Sequence, residues 1–358
     1  PLAKIIGENK YLIAIRDGFL ISTPLLIVGS FFLLLANFPI PNWSNMISPI
    51  LGNNWESLMS VPASASFDVM TILAVVGIAY SLGRQLEIDA IQSAALALVS
   101  FFILTPYTTL FTPENSTKVY EVTSLPLKWM GSSGLFLGMI IALVSTRIFA
   151  AVIHRGWTIK MPDGVPPTVV KSFEALIPSF VVVTIMFVLN WLVSLTSMGN
   201  LQDVIFTFLQ TPLLSLGNTL GAMIIAYLFL HFFWFFGING SSVVGAVFNP
   251  VLRALSVENM QAFKDGHEIP NIITGQFQDM FATFGGGGST LSLIIVMVLF
   301  CKSQRVKKLS QLSLVPSIFG INEPIIFGLP IVLNPIILIP FALVPTINII
   351  ISYFAMDW

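Results

Sequence analysis

One carboxylate stands alone in the last part of this chain. Glu323 lies between Asn322 and Pro324, and no other charged residue occurs from there back to Lys308 or forward to Asp357. An ionisable group in such apolar surroundings is a functional candidate by default, as a substrate holder or a proton carrier. A structural role fits the same residues. The carboxylate caps a half-helix, with Pro324 at its first helical position. His231 opens the run His231-Phe-Phe-Trp-Phe-Phe236, whose aromatic faces, Trp234 among them, suit stacking on the C–H surface of a sugar. The same run suits lipid packing or an interfacial aromatic belt. His231 itself serves equally well as a hydrogen-bond partner for a neighbouring helix. Gly285 to Gly288 precede Ser289 and Thr290 without the Gly-Lys-Ser/Thr ending of a nucleotide loop. They read as a place of close backbone packing, with amides available to a cavity. His154, His231 and His267 are too far apart to show metal-ligand spacing. No Gly-x-Ser-x-Gly nucleophile motif occurs. The expectation is no metal and no cofactor.

The elements that hold these residues belong to a membrane. Hydrophobic residues make up 55% of the chain and charged residues 9%, against about 25% charged in soluble domains. So few charges cannot solvate a globular surface. The net charge of −1 gives no reason to expect nucleic acid. Cys301 is the only cysteine, so no internal disulfide forms. The sequence opens at Pro1 and stops at Trp358 in an apolar stretch. Both ends read as trimmed, and no cleavable signal segment is expected.

A bilayer core asks for about 20 apolar residues in a helix. Gly18 to Phe38 meets this without a charge. Val69 to Gly83 and Ala90 to Thr105 read as a tight hairpin around Arg84, Glu87 and Asp89. Gly131 to Ile153, Ala175 to Thr196, Leu213 to Phe236, Leu291 to Cys301 and Pro335 to Phe354 complete the expected spans. Lys4, Lys10 and Arg16 precede the first span, and Arg147, Arg155, Lys160 and Lys171 lie between the fourth and fifth. The stretches Asn37 to Ala65 and Ser197 to Thr211 carry no Lys or Arg. A cytoplasmic N-terminus satisfies all of these. Lys302, Arg305, Lys307 and Lys308 then need a second crossing between Phe236 and Cys301, which Val243 to Leu255 must supply.

Two apolar stretches are interrupted by glycine, proline and polar groups: Gly237-Ile-Asn-Gly-Ser-Ser-Val-Val-Gly-Ala-Val-Phe-Asn-Pro250, and Pro316 to Pro330. Irregular backbone at membrane depth persists only where protein buries it or it lines a cavity. Paired broken segments point to a transporter's binding site. The fold class expected is an all-α integral membrane protein, a multi-span helical transporter with two re-entrant or broken-helix segments.

Three stretches resemble the membrane subunit, enzyme IIC, of the lactose/cellobiose/diacetylchitobiose phosphotransferase family. They are Trp157-Thr-Ile-Lys-Met-Pro-Asp-Gly-Val-Pro-Pro with Ser172-Phe-Glu-Ala-Leu-Ile-Pro178, Trp234-Phe-Phe-Gly-Ile-Asn-Gly240, and Ile321-Asn-Glu-Pro-Ile-Ile-Phe-Gly-Leu-Pro-Ile-Val-Leu-Asn-Pro335. The resemblance covers nearly the whole chain. The family runs some tens of residues further, through C-terminal helices missing here. It implies a homodimer in the bacterial cytoplasmic (inner) membrane, with an N-terminal dimerisation bundle (1–196) and a substrate-binding domain (197–358). It also implies a β-linked disaccharide substrate, of diacetylchitobiose or cellobiose type, phosphorylated at its 6-hydroxyl by a cysteine of a separate enzyme IIB. Glu323 matches the signature carboxylate and is the expected catalytic residue. The substrate-binding set expected with it is Asn239, Asn322, His231, Trp234 and Gly240. Where the family often has Gly-Ile-His-Gly, this chain has Asn239, which can bond a hydroxyl but cannot titrate as a base. Cys301 sits at a helix end outside any reactive motif and is not the expected phosphate carrier. Read from physics alone, Glu323 serves equally in a proton-coupled secondary sugar transporter.

Overall fold

The computed structural model describes residues 9–358 except 37, 39, 41, 113–117, 163, 238, 319 and 330, and all their side chains but those of Thr23, Ile27, Ser30, Leu33, Ser242, Glu323 and Phe327. The chain forms two compact units, Ile13–Thr211 and Pro212–Trp358, the latter taking in Pro1–Leu12. Helix dominates, as apolar sequence in a bilayer requires, since backbone groups must be satisfied within the segment.

In the first unit the principal helices are α1 (Lys10–Ala36), α2 (Trp55–Phe67), α3 (Met70–Gln85), α4 (Ala90–Ile103), α5 (Leu135–His154) and α6 (Leu176–Ser194). Helices α3, α4 and α5 pack on one another, burying Ala74, Ile78, Ala97, Phe101 and Ala142 completely. Glycines set their spacing. A Cβ on Gly77 of α3 would stand 2.5 Å from the Gly18 carbonyl oxygen of α1, and one on Gly138 of α5 would stand 2.8 Å from Thr71 and Val75. Small residues let apolar helices approach closely where no hydrophobic effect drives them together. Gly29 packs in the same way on Ala63 and Ser66 of α2. The small residues of this unit thus serve its own helix packing.

The hairpin expected around Arg84, Glu87 and Asp89 is present. Glu87 turns the chain with φ 58°, and Asp89 caps α4 by accepting the Gln92 N–H at 3.0 Å. Lys171 Nζ lies 3.2 Å from Asp89 Oδ2. The Gln92 amide, with help from Lys171, holds the Asp89 carboxyl below the ordinary aspartate range. Helix α4, at 14 residues, is about 21 Å long, shorter than the ~30 Å hydrocarbon core. An unexpected feature follows it. Thr108–Phe111 (β1) and Tyr120–Thr123 (β2) pair antiparallel, Thr108 opposite Thr123, with both strands exposed.

The second unit contains α7 (Leu220–Phe235), α8 (Gly240–Lys264), α9 (Leu291–Phe300), α10 (Gln304–Ile318), α11 (Glu323–Gly328) and α12 (Pro335–Asp357). The apolar run from Leu213 to Phe236 is not one straight helix. It bends sharply between Gly217 and Leu220, and Thr219 starts α7 afresh by accepting the Ala222 N–H at 3.2 Å. A second break separates Gly275–Ser289 from α9 by 57°. Among the described residues two helix pairs are bent at a break, and Gly237 to Pro250 belongs to neither break. From Gly240 onward it is the opening of the continuous helix α8, with Pro250 inside. That helix is 25 residues long, about 37 Å, but it is not among the helices apolar enough to cross a bilayer, so nothing in it tests the extra crossing asked of Val243 to Leu255. The region Pro316 to Pro330 is broken as expected: α10 ends at Ile318 and α11 begins at Glu323.

Among the described residues, four helices are long and apolar enough to cross a bilayer, or six if each bent pair makes one crossing. Two apolar clusters organise the second unit. One joins Leu230, Trp234, Ile294, Met297, Ile325, Ile331 and Phe341; the other joins Met223, Tyr227, Leu252, Ile273, Phe277 and Ile349.

Candidate functional site

A cavity of about 280 Å³ lies within the second unit, near the lower end of the range for small-molecule sites. Helix α7 contributes Tyr227, Leu230 and Trp234, and α8 with the turn before it contributes Asn239, Ser241, Phe248 and Asn249. Gln278, Asp279 and Thr283 reach it from the helix before the second break. Gly286, Gly287, Gly320 and Asn322 close it with main chain and one amide. Amides, hydroxyls and one carboxylate thus alternate with aromatic rings. That mixture suits a ligand with an apolar face and a hydroxylated rim.

The glycine turn is built to fill its place. Gly285, Gly286 and Gly288 have φ of 82°, 91° and 78°, the left-handed region that only glycine enters freely. A Cβ at Gly288 would enter the Phe341 ring, and one at Gly287 would stand 3.0 Å from Trp234 Nε1. His231 pins this turn. Its Nε2 accepts the Gly288 N–H at 3.0 Å, which puts the ring proton on Nδ1, facing the Tyr227 carbonyl at 2.6 Å. Both nitrogens are thereby engaged with protein. The ring is fully buried and stands edge-on to Phe341, 5.0 Å between centroids.

Asn322 fastens the other side. It is buried, and its Nδ2 donates to the Gly287 carbonyl and to Thr290 Oγ1. It precedes α11 without capping it through its side chain. The residues expected from sequence therefore divide. Trp234, Asn239 and Asn322 line the cavity. His231 and Gly240 are not among its lining residues. Gly240 is buried where α8 starts against Leu230 and Trp234, and a Cβ there would meet the Leu230 carbonyl. Glu323 is the first residue of α11, directly after Asn322; its side chain lies outside those described.

Sequence reasoning missed Asn249, Gln278, Asp279 and Thr283. The signal for one of them was present. Asp279 is the sole charged residue between Glu268 and Lys302, and Arg253 the sole one between Asp203 and Glu258. Isolated charges in apolar sequence are what singled out Glu323, and the same rule applies to these two. The Tyr227 side chain is buried at the cavity, with its hydroxyl close to Thr283.

Comparison with known proteins identifies the family of the chain. The family model described as phosphotransferase system, EIIC matches residues 16–345. The lichenan permease IIC component of Bacillus subtilis (strain 168) is 41% identical over 358 residues, covering all of this chain and 79% of that protein. The cellobiose-specific EIIC component of Geobacillus stearothermophilus is 40% identical, over 99% of this chain and 80% of its own length. The crystal structure of the transporter ChbC, the IIC component of the N,N'-diacetylchitobiose-specific phosphotransferase system, superposes with a TM-score of 0.95 at 43% identity, covering this whole chain and 83% of its own. A helical fold apolar enough for several crossings, a polar and aromatic cavity beside two broken elements, and a match along almost the full sequence lead to one assignment: this chain belongs to the EIIC family of the phosphotransferase system, the multi-pass membrane permease components for sugars.

Proposed function

We propose that this chain binds a β-linked disaccharide of cellobiose or diacetylchitobiose type and carries it inward while a cytoplasmic enzyme IIB phosphorylates its 6-hydroxyl. The observation that carries this reading is the cavity in Pro212–Trp358, lined by Trp234 and by the amide residues Asn239, Asn249, Gln278 and Asn322. A neutral sugar needs that combination: an apolar plane for its C–H face, and donors and acceptors for its hydroxyls. The sugars named for two relatives, cellobiose and diacetylchitobiose, are of this kind.

In this mechanism Glu323 accepts a hydrogen bond from the 6-hydroxyl. As the phosphoryl group moves from the enzyme IIB cysteine to the hydroxyl oxygen, the carboxylate takes the proton. The product carries a phosphate of nearly two charges. Once that proton passes on to water at the cytoplasmic side, Glu323 is charged again, and beside it in a poorly hydrated cavity such an anion is repelled strongly. The phosphosugar leaves inward and does not rebind, so transport runs one way without an ion gradient. Ile13–Thr211 serves as the bundle through which two protomers pair, and the N-terminus is cytoplasmic. Both assignments rest on the resemblance and on the distribution of Lys and Arg.

Glu323→Ala and Glu323→Gln test the site. Radiolabelled disaccharide binding to purified protein is measured beside phosphosugar formation with the full relay. Loss of a bond to a charged group weakens binding about ten- to a hundredfold in the alanine variant. In the glutamine variant, phosphorylation falls further than binding, by about 10²–10⁴-fold, if the carboxylate takes the proton. Wild-type values for both in Glu323→Ala would remove Glu323 from the site. The alternative, proton-coupled transport through Glu323, predicts concentrative uptake into vesicles with an imposed proton gradient and no phosphorelay.

A further inference from the structure

Asp279 has no part in the scheme above, yet it opens onto the same cavity. Its surface there is exposed, whereas Phe277, two residues earlier, is buried in the apolar cluster. The reason is local. The backbone from Gln278 to Ala282 is a π turn: the Thr283 N–H bonds the Gln278 carbonyl, five residues back, at 2.9 Å. The turn is wider than an α-helical one by about one residue, and Gln278, Asp279 and Thr283 all line the cavity. Single π turns recur at functional sites, and the displaced side chains are the usual reason.

Two further contacts show a built wall. Gln278 Nε2 donates to Asn249 Oδ1 of α8 at 3.4 Å, and both residues line the cavity. Arg253, one turn further along α8, interacts as a charge with Asp279. These are the isolated charges noted above, on separate elements. A carboxylate is costly at membrane depth, and a countercharge in the neighbourhood offsets part of that cost.

We infer that Asp279, which lines the cavity beside Gln278, Thr283 and Asn249, is a second substrate-positioning carboxylate, which accepts hydrogen bonds from ring hydroxyls of the sugar and restricts this part of the cavity to neutral, hydroxylated rings. An ionised carboxylate is acceptor-only. It rewards hydroxyl donors and repels a carboxylate or phosphate placed at the same point. This inference rests on the disaccharide reading proposed above and adds to it the group that selects ring chemistry away from Glu323.

The test is a cycle between protein and ligand. Binding of cellobiose and of a set of its monodeoxy analogues is measured on purified full-length wild type and Asp279→Asn. We expect Asp279→Asn to weaken cellobiose about ten- to a hundredfold. For the one or two analogues lacking the hydroxyls that Asp279 accepts from, the same substitution should cost threefold or less, because that interaction is already gone. The double variant Asp279→Asn/Arg253→Gln repeats the cycle without an unpaired cation, should the single variant fold poorly. Equal losses for cellobiose and every analogue, in a folded variant, would overturn the assignment and leave Asp279 as a structural partner of Arg253. Wild type that binds no disaccharide at all would overturn the proposed function, and this inference with it.

Discussion

Replacing His231 with phenylalanine separates a scaffold from a contact. The substitution keeps an aromatic ring against Phe341, six-membered in place of the five-membered imidazole, and removes both nitrogens. Of the two bonds lost, the one to the Tyr227 carbonyl matters less, since a carbonyl inside a helix keeps its ladder bond. The other leaves the Gly288 N–H without its acceptor, 3.0 Å away in the native protein. An unsatisfied buried donor costs about 1–3 kcal/mol, so opening of the Gly285–Gly288 turn becomes about five- to 150-fold more frequent. Hydrogen–deuterium exchange read on peptides covering 283–291 should report that increase directly. Sugar affinity should barely move, because apparent affinity falls only with the fraction of closed turn, and that fraction stays near one. A tenfold loss of cellobiose affinity with unchanged exchange at Gly288 would refute this account and make His231 a sugar contact.

Gly288→Ala should destabilise the protein by about 3 kcal/mol or more, from left-handed backbone strain and insertion into the Phe341 ring. Phe341→Leu in the same protein should recover part of the loss in thermal melting, and no recovery would mean that backbone strain is the whole effect. Asp89→Asn keeps the cap but removes the charge beside Lys171 and at the start of α4, and should lower stability at neutral pH by about 0.3–1 kcal/mol. The Asp89 carboxyl is held below the ordinary aspartate range in the folded protein, so its contribution is complete above about pH 4 and disappears as the pH falls through the depressed value. Melting curves of wild type and variant should therefore converge in acid; a difference constant from pH 7 to pH 3 would refute the linkage. Neutralising Lys302, Arg305, Lys307 and Lys308, which precede and open α10, should slow phosphorylation by enzyme IIB about tenfold at low salt and less at high salt. Disaccharide binding should be unchanged, and a rate insensitive to both charge and salt would leave the cluster as a topology signal only.

What could be read in advance followed from two physical regularities, and what could not lay where they conflict. Hydropathy locates apolar helices because a bilayer leaves the backbone no other partner, and α5, α6 and α12 follow from it within a few residues. It does not locate breaks inside apolar sequence. The bend between Gly217 and Leu220 falls in a run that looks uniform, and only the capping hydroxyl of Thr219 betrays it. The opposite error arose at Gly237 to Pro250, where glycine, serine and asparagine suggest irregular backbone. In α8 they serve another end: Gly245 lies so near the Asn249 amide that a Cβ would stand 2.8 Å from it, and small polar side chains there leave the cavity open. The β1–β2 hairpin was legible in Thr-Thr-Leu-Phe and Tyr-Glu-Val-Thr, β-branched and aromatic runs around Pro113, but it was masked by the expectation of helices. The site divides by the same logic. Isolation of a charge from all others is visible in one dimension and applies alike to Glu323, Asp279 and Arg253. Which way a side chain faces depends on bonds across the fold. His231 was grouped with sugar contacts because it neighbours aromatic residues in sequence. It is removed from them by one hydrogen bond to a glycine 57 residues away, a contact that no spacing along the chain contains.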